Sequence, residues 1–166
     1  MLFFLINQLE KEIEKKYLSI NYLKANFIQI IKYPSRKDSI ILSGYLVYKS
    51  PSELTFNINE TKSKIILKDT FMITIQNHDT SIQVLPKNYM FNPYYFLTEG
   101  IKAYKSEFKK FNDKVEINLL SDTLFYKDIK LTLSSKDYSI LSVKAIDIYG
   151  VIYELKLKDI EQKWKL

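Results

Sequence analysis

The residues able to do chemistry are few and scattered. His78 is the sole histidine, and it lies beside Asp79 in a turn-like run with no serine or cysteine placed to pair with it as a nucleophile. Carboxylates such as Glu53 and Glu99 are free to meet in space, but no spacing predicts a pair. No phosphate loop, dinucleotide fingerprint or zinc-ligand spacing occurs, and with no cysteine there is no disulfide, thiolate site or acylated cysteine in the chain. The expectation is no catalytic residue, no metal, no cofactor and no enzyme activity. The chemistry that remains is apolar: thirteen tyrosines and ten phenylalanines stand among 46% hydrophobic residues.

The stretch that displays it best is 43–59, S-G-Y-L-V-Y-K-S-P-S-E-L-T-F-N-I-N. Leu54, Phe56 and Ile58 alternate with Glu53, Thr55, Asn57 and Asn59, as a half-buried strand requires. Leu46 and Tyr48 offer the same face on the preceding strand, with Gly44 where a bulge or close backbone approach would sit. Lys49-Ser50-Pro51-Ser52 reads as the turn between them. The result is an antiparallel hairpin with one apolar and one wet face.

The remaining elements extend this pattern. With 166 residues, 27% charged, and only three glycines and four prolines, the chain reads as one mainly β domain, residues 1–166. Residues 5–18 place Leu5, Leu9, Ile13 and Tyr17 on one face of an amphipathic helix, with Glu12 and Lys16 as an i,i+4 pair. The apolar run Met1–Ile6 is read as the start of that helix or as the remnant of a trimmed export signal. Strands follow at 25–33, 39–49, 53–59, 64–67, 71–76 and 81–85, with polar turns between them. Pro93 opens a short aromatic helix, Tyr94-Tyr95-Phe96-Leu97, ahead of Gly100. Residues 101–111 fit a helix fading into a strand near Glu107, and 115–119, 128–133, 140–148 and 151–157 complete a meander of about ten strands. The tail 159–166, with Trp164, is expected to lie loosely over the sheet.

The net charge of +6 is almost wholly lysine, since Arg36 is the only arginine. Lysine is a hydrated point charge rather than a bidentate fork, which argues against a nucleic-acid partner. Phe108-Lys109-Lys110-Phe111 could stack single-stranded bases, but strand alternation already accounts for its pattern. One helix and one aromatic segment must cover the apolar face of the sheet, either tightly as a plain core or loosely as a lipid-sized cavity, and periodicity alone does not choose.

The motifs occur in an order that resembles the LolA family, the periplasmic carriers of outer-membrane lipoproteins. Ala25-x-Phe27-x-Gln29 is similar to the family's opening strand, and Gly44-x-Leu46-x-x-Lys49-x-Pro51 with Leu54-x-Phe56 to its G-x-L-x-x-K-x-P signature. Asp69 before Phe71, Asn92-x-Tyr94 through Leu97, and Asp147-x-x-Gly150 followed by Tyr153 continue the likeness over almost the whole chain. Many carriers have an arginine before the proline that helps hold a lid closed; here Ser50 stands there, so that device does not carry over.

The resemblance implies a curved antiparallel half-barrel, an incomplete β-barrel, covered by the N-terminal helix and a mid-chain helical lid. It implies a monomeric periplasmic carrier that binds acylated lipoproteins, receives them from an inner-membrane ABC lipoprotein transporter and passes them to the outer membrane, where a receptor could accept them. Leu46, Tyr48, Leu54, Phe56 and Ile58 would form the lipid-binding wall, with Ile73 and Ile75 beyond them and Phe96 in the lid. Two other roles stay open on the same fold: an outer-membrane lipoprotein receptor, which needs an acylated cysteine, and a general lipid or glycolipid binder.

Overall fold

The computed structural model describes residues 2–49, 51 and 53–165, Leu2 and Phe3 by their backbone alone. Helix α1, Leu2–Ser19, leads without a break into β1, Ile20–Lys32. Then follow β2 (Ser39–Lys49), β3 (Glu53–Ile58), β4 (Ser63–Lys68), β5 (Phe71–Gln76) and β6 (Asp79–Val84). A segment with two short 3-10 turns around α2 (Pro93–Leu97) separates these from β7 (Lys105–Lys110), β8 (Lys114–Leu120), β9 (Tyr126–Ser134), β10 (Ile140–Asp147) and β11 (Ile152–Trp164).

The strands make one curved, unclosed sheet in the order β6-β5-β4-β3-β2-β1-β11-β10-β9-β8-β7, with antiparallel neighbours throughout. First and last strands meet in the middle, and β6 and β7 are left as unpaired edges. The chain must therefore cross the concave face to get from one edge to the other, and residues 85–104, with α2, are that crossing. This is the incomplete half-barrel that the resemblance implied, with eleven strands among the described residues.

Inward side chains follow the strand period of two. Leu23, Ala25 and Phe27 of β1 stand opposite Tyr48, Leu46 and Gly44 of β2, and the row continues to Leu54, Phe56 and Ile58 of β3. On the other half, Ile117, Leu131, Val143 and Leu155 form an equally buried row across β8 to β11. Leu9, Ile13 and Tyr17 of α1 close over them. Leu5, expected on the same stripe, is 60% exposed and lines the cleft beside the helix instead.

Gly44 marks a close approach of β2 to β3. A Cβ built there would stand 1.8 Å from the Asn57 carbonyl oxygen on β3, so only glycine admits this approach of two backbones. Asp147 serves the opposite half: buried in the β10–β11 turn, it accepts the N–H groups of Tyr149 (2.9 Å) and Val151 (3.0 Å) and the Tyr153 hydroxyl (3.2 Å). Gly150 takes the positive φ of that turn. The Asp-x-x-Gly…Tyr pattern read from sequence is thus the fastening of a hairpin.

Two sequence expectations are corrected. The 101–107 helix is instead a 3-10 turn, Gly100–Ala103, followed by β7, because Phe108 pairs with Ile117 and the ladder outweighs a helical spacing that strand alternation also satisfies. The tail does not lie over the sheet: β11 runs on to Trp164, pairing with the start of β1 at Ile20, and Asp159 with positive φ marks the irregularity at which the register shifts. The Ser50 position lies outside the described residues.

Gly44→Ala is expected to destabilise the fold by about 3 kcal/mol, the upper range for forcing atoms into a packed site. Urea unfolding followed through circular dichroism measures it.

Candidate lipid-binding bowl and its lid

The concave face is occupied by the chain's own aromatics. Asn92 caps α2, its Oδ1 accepting from the N–H groups of Tyr94 (3.1 Å) and Tyr95 (3.2 Å), and Pro93 fills the first helical position. The cap aims Tyr94 straight down into the bowl. There its ring stacks on Tyr48 with centroids 4.3 Å apart and planes 15° from parallel, and meets Tyr17 of α1 at 5.6 Å. Phe96 enters the other half, edge-on to Tyr104 and Tyr126 and close to Phe91. Thr98 Oγ1 donates to the Tyr94 carbonyl (2.9 Å), ending the helix, and Gly100 lies under the Tyr95 ring where a Cβ would come within 2.6 Å.

Polar groups in this plug are poorly served. The hydroxyls of Tyr94 and Tyr104 are buried with no hydrogen-bond partner. Burial, with Tyr48 adjacent, pushes the Tyr94 phenol far above its ordinary range, and burial pushes Tyr104 up to about 12. An unpartnered buried hydroxyl costs roughly 1–3 kcal/mol. The lid segment therefore sits in the bowl under a standing penalty. The exposed Lys87–Glu99 pair (3.1 Å) joins two ends of this same segment, so it ties the lid to itself rather than to the sheet.

Helix α1 is fastened more firmly. Lys16, almost fully buried, donates to the Asp137 carbonyl and lies 3.5 Å from Ser139 Oγ, while the Tyr17 hydroxyl donates to the Tyr138 carbonyl. The Tyr138 hydroxyl returns to Glu12 at 3.0 Å. All of these anchor the C-terminal half of α1 to the β9–β10 turn. Among the described side chains the N-terminal half shows no such ties, and beneath it opens a cleft of about 540 Å³, lined by Leu5, Ile6, Gln8, Leu9, Glu12, Phe108, Lys110 and Tyr138. That volume falls in the ordinary range of small-molecule sites, roughly 300–1,000 Å³.

Leu46, Tyr48, Leu54, Phe56, Ile58 and Phe96 are brought together on the concave side as closed core, all of them buried. Ile73 and Ile75 are not with them. Ile73 pairs with Ile66 and through it with Thr55, and Ile75 pairs with Lys64 and through it with Asn57, so both stand on the convex face. Their inward counterparts on β5 are Met72 and Thr74, in rows with Leu54 and Phe56. Alternation within β5 was readable, but its phase relative to β3 is set by the β4–β5 turn at Asp69, whose positive φ the sequence does not announce. Sequence reasoning also missed the open cleft; the apolar run through Leu5 and Ile6 and the inward Phe108 were its signals. Among the described residues no cluster of His, Asp or Glu could hold a metal, and no helix is long and apolar enough to cross a membrane.

No family model matches the sequence, and no curated protein matches it. Solved structures do match in fold. An uncharacterised conserved protein of Thermus thermophilus superposes with a TM-score of 0.59 at 9% identity, over 96% of this chain and 89% of that one. A Vibrio parahaemolyticus domain, assigned by name alone to outer membrane lipoprotein sorting, gives 0.54 at 13% identity over 97% and 92%. A LolA superfamily protein of Nitrosomonas europaea gives 0.50 at 8% identity over 95% and 94%. At such identities the likeness is one of fold, and the fold is LolA-like.

Tyr94→Phe keeps the stack on Tyr48 and removes the unpartnered hydroxyl; it is expected to raise stability by about 1 kcal/mol, whereas Tyr94→Ala lowers it by about 4 kcal/mol. Thermal unfolding of both variants measures this. A second outcome concerns alkali. In the unfolded chain a phenol ionises near pH 10. In the fold Tyr104 stays neutral up to about 12. Its contribution to stability is thus complete below pH 10 and lost as pH rises through 12. Tyrosinate absorbance followed with far-UV circular dichroism should show late-titrating tyrosines that ionise together with loss of structure.

Proposed function

We propose that this chain is a non-enzymatic periplasmic carrier that holds the acyl chains of lipoproteins between α1, the lid segment and the concave sheet. It would take them from an inner-membrane ABC lipoprotein transporter and deliver them to the outer membrane. The observation that carries this reading is the lid itself: a segment that crosses the bowl from edge to edge, fills it with Tyr94 and Phe96, and leaves buried hydroxyls unpartnered there. A plain core has no reason to keep such a plug.

The physical cycle follows. Each acyl methylene moved from water to an apolar site contributes about 0.8 kcal/mol, so a chain of ordinary length offsets the cost of withdrawing a short lid helix. The cleft under Leu5, Ile6, Leu9 and Phe108 is the entry already open, and withdrawal of Tyr94 and Phe96 would extend it onto Leu46, Tyr48, Leu54 and Phe56. Release uses the same step in reverse, since the aromatic plug competes with the cargo for one surface. The LolA-like fold of the comparison structures supports this reading.

The test is native mass spectrometry of the protein with a triacylated lipoprotein and with the same lipoprotein lacking its acyl chains. A one-to-one complex with the acylated form alone is expected. Leu5→Asp, at a cleft position exposed enough to spare the fold, is expected to weaken that complex at least about tenfold by setting a charge in the entry. Binding of free phospholipid or glycolipid with no complex of the lipoprotein would overturn the carrier reading in favour of a small-lipid binder.

A further inference from the structure

The two edges of the sheet differ in kind. Strand β7 carries Lys105, Glu107, Lys109 and Lys110, the density of charge that prevents addition of another strand. Strand β6 reads Asp79-Thr80-Ser81-Ile82-Gln83-Val84: one charge at its start, no lysine or proline within it, and every residue exposed. The Leu85 N–H donates to the Thr70 carbonyl (2.8 Å), which fixes the phase of the β5–β6 ladder. Ser81 and Gln83 then face β5 with their backbone groups, while Thr80, Ile82 and Val84 turn theirs away from the sheet. Those same residues put their side chains on the convex face, where Ile82 is 62% and Val84 70% exposed, next to Ile73 and Phe71.

We propose that β6 is a docking edge for a second copy of this chain, related by a two-fold axis through Ile82. Ile82 then pairs with the partner's Ile82, and Thr80 with the partner's Val84, so that every outward N–H and C=O of both strands finds a mate. Other registers do worse. A shift by two residues in one direction sets Thr80 against Pro86, which has no N–H; in the other it sets Val84 against His78 in the turn, beyond the strand. A shift by one turns the aliphatic row to the wrong face. In the favoured register the two Asp79 carboxylates lie at opposite ends, each across from Leu85, so no like charges oppose. The joined row Ile66, Ile73, Ile82 continues into its own copy across the axis, covering side chains that water now meets. The bowl and its lid lie on the other face, so the dimer and cargo binding are compatible. This pairing departs from the monomer expected from sequence.

Sedimentation velocity of the full chain over a concentration series tests it. The wild type is expected to move from one to two chain masses, more readily at high salt, because each copy carries a net charge of +6 that salt screens. Thr80→Pro removes only an outward N–H, and Ile82→Lys charges the axis; both are expected to keep the wild-type circular dichroism while weakening association by about tenfold or more. The chain has no cysteine, so Ile82→Cys gives a clean reporter. Directly paired Cα atoms about 5.5 Å apart suit a disulfide, and Ile82→Cys should oxidise to a covalent dimer far faster than Gln83→Cys. A wild type that stays monomeric at every concentration and salt overturns the proposal and leaves the edge to an extended segment of another protein. A dimer untouched by Thr80→Pro and Ile82→Lys, or equal cross-linking of the two cysteine variants, overturns it as well.

Discussion

The pairing of β1 with β11 is the interaction on which everything else rests. Each half of the chain is a meander of short hairpins, and neither can bury its inward row alone. Joining the first strand to the last over almost their whole lengths, from Ile20 with Trp164 to Lys32 with Ile152, turns two meanders into one curved surface. It also fixes what is left over. With the centre of the sheet occupied by the chain's two end strands, the free edges are the middle ones, and the connection between them has to pass over the bowl.

That constraint explains why a segment crosses the bowl, but not why it buries unpartnered tyrosine hydroxyls there. A crossing segment needs apolar side chains where it faces the bowl, a cap where its helix starts and a hinge where it ends. Asn92, Pro93 and Gly100 supply the cap, the start and the close passage under Tyr95. The contrast between the two covers is instructive. Helix α1 is tied down by a buried lysine and tyrosine hydroxyls to the β9–β10 turn, and burial lowers the Lys16 pKa with Asp137 partly offsetting it. The lid is seated by stacked rings, and its exposed Lys87–Glu99 pair joins only its own two ends. One cover is a fixture and the other a stopper.

Much of this was legible in the sequence. Alternation found nearly every strand, and the apolar stripe found α1. The Pro93 start and the aromatic run found α2. What failed did so where a local pattern was ambiguous and a distant partner decided. Residues 101–107 carry a helical spacing that β8 overrides by pairing. The tail looked like an unattached end until β1 gave it a partner reaching back to Ile20. Ile73 and Ile75 were placed on the wrong face because period is written in a strand but phase is written in its turn. Leu46, Tyr48, Leu54, Phe56 and Ile58 face the concave side as read because the hairpin 43–59 contains both strands and the turn that sets them.

The central position of β11 has a further consequence for how the molecule comes into being. During synthesis the first six strands emerge as a curved half-sheet whose β1 flank has no mate until the last element is made. For that interval the inward rows of β1 to β3 and a full-length strand flank stand open together, the condition in which nascent chains aggregate or are held by chaperones. Folding to completion waits on the C-terminal strand. A chain built this way remains unfinished, and so threadable, until its eleventh strand has been made.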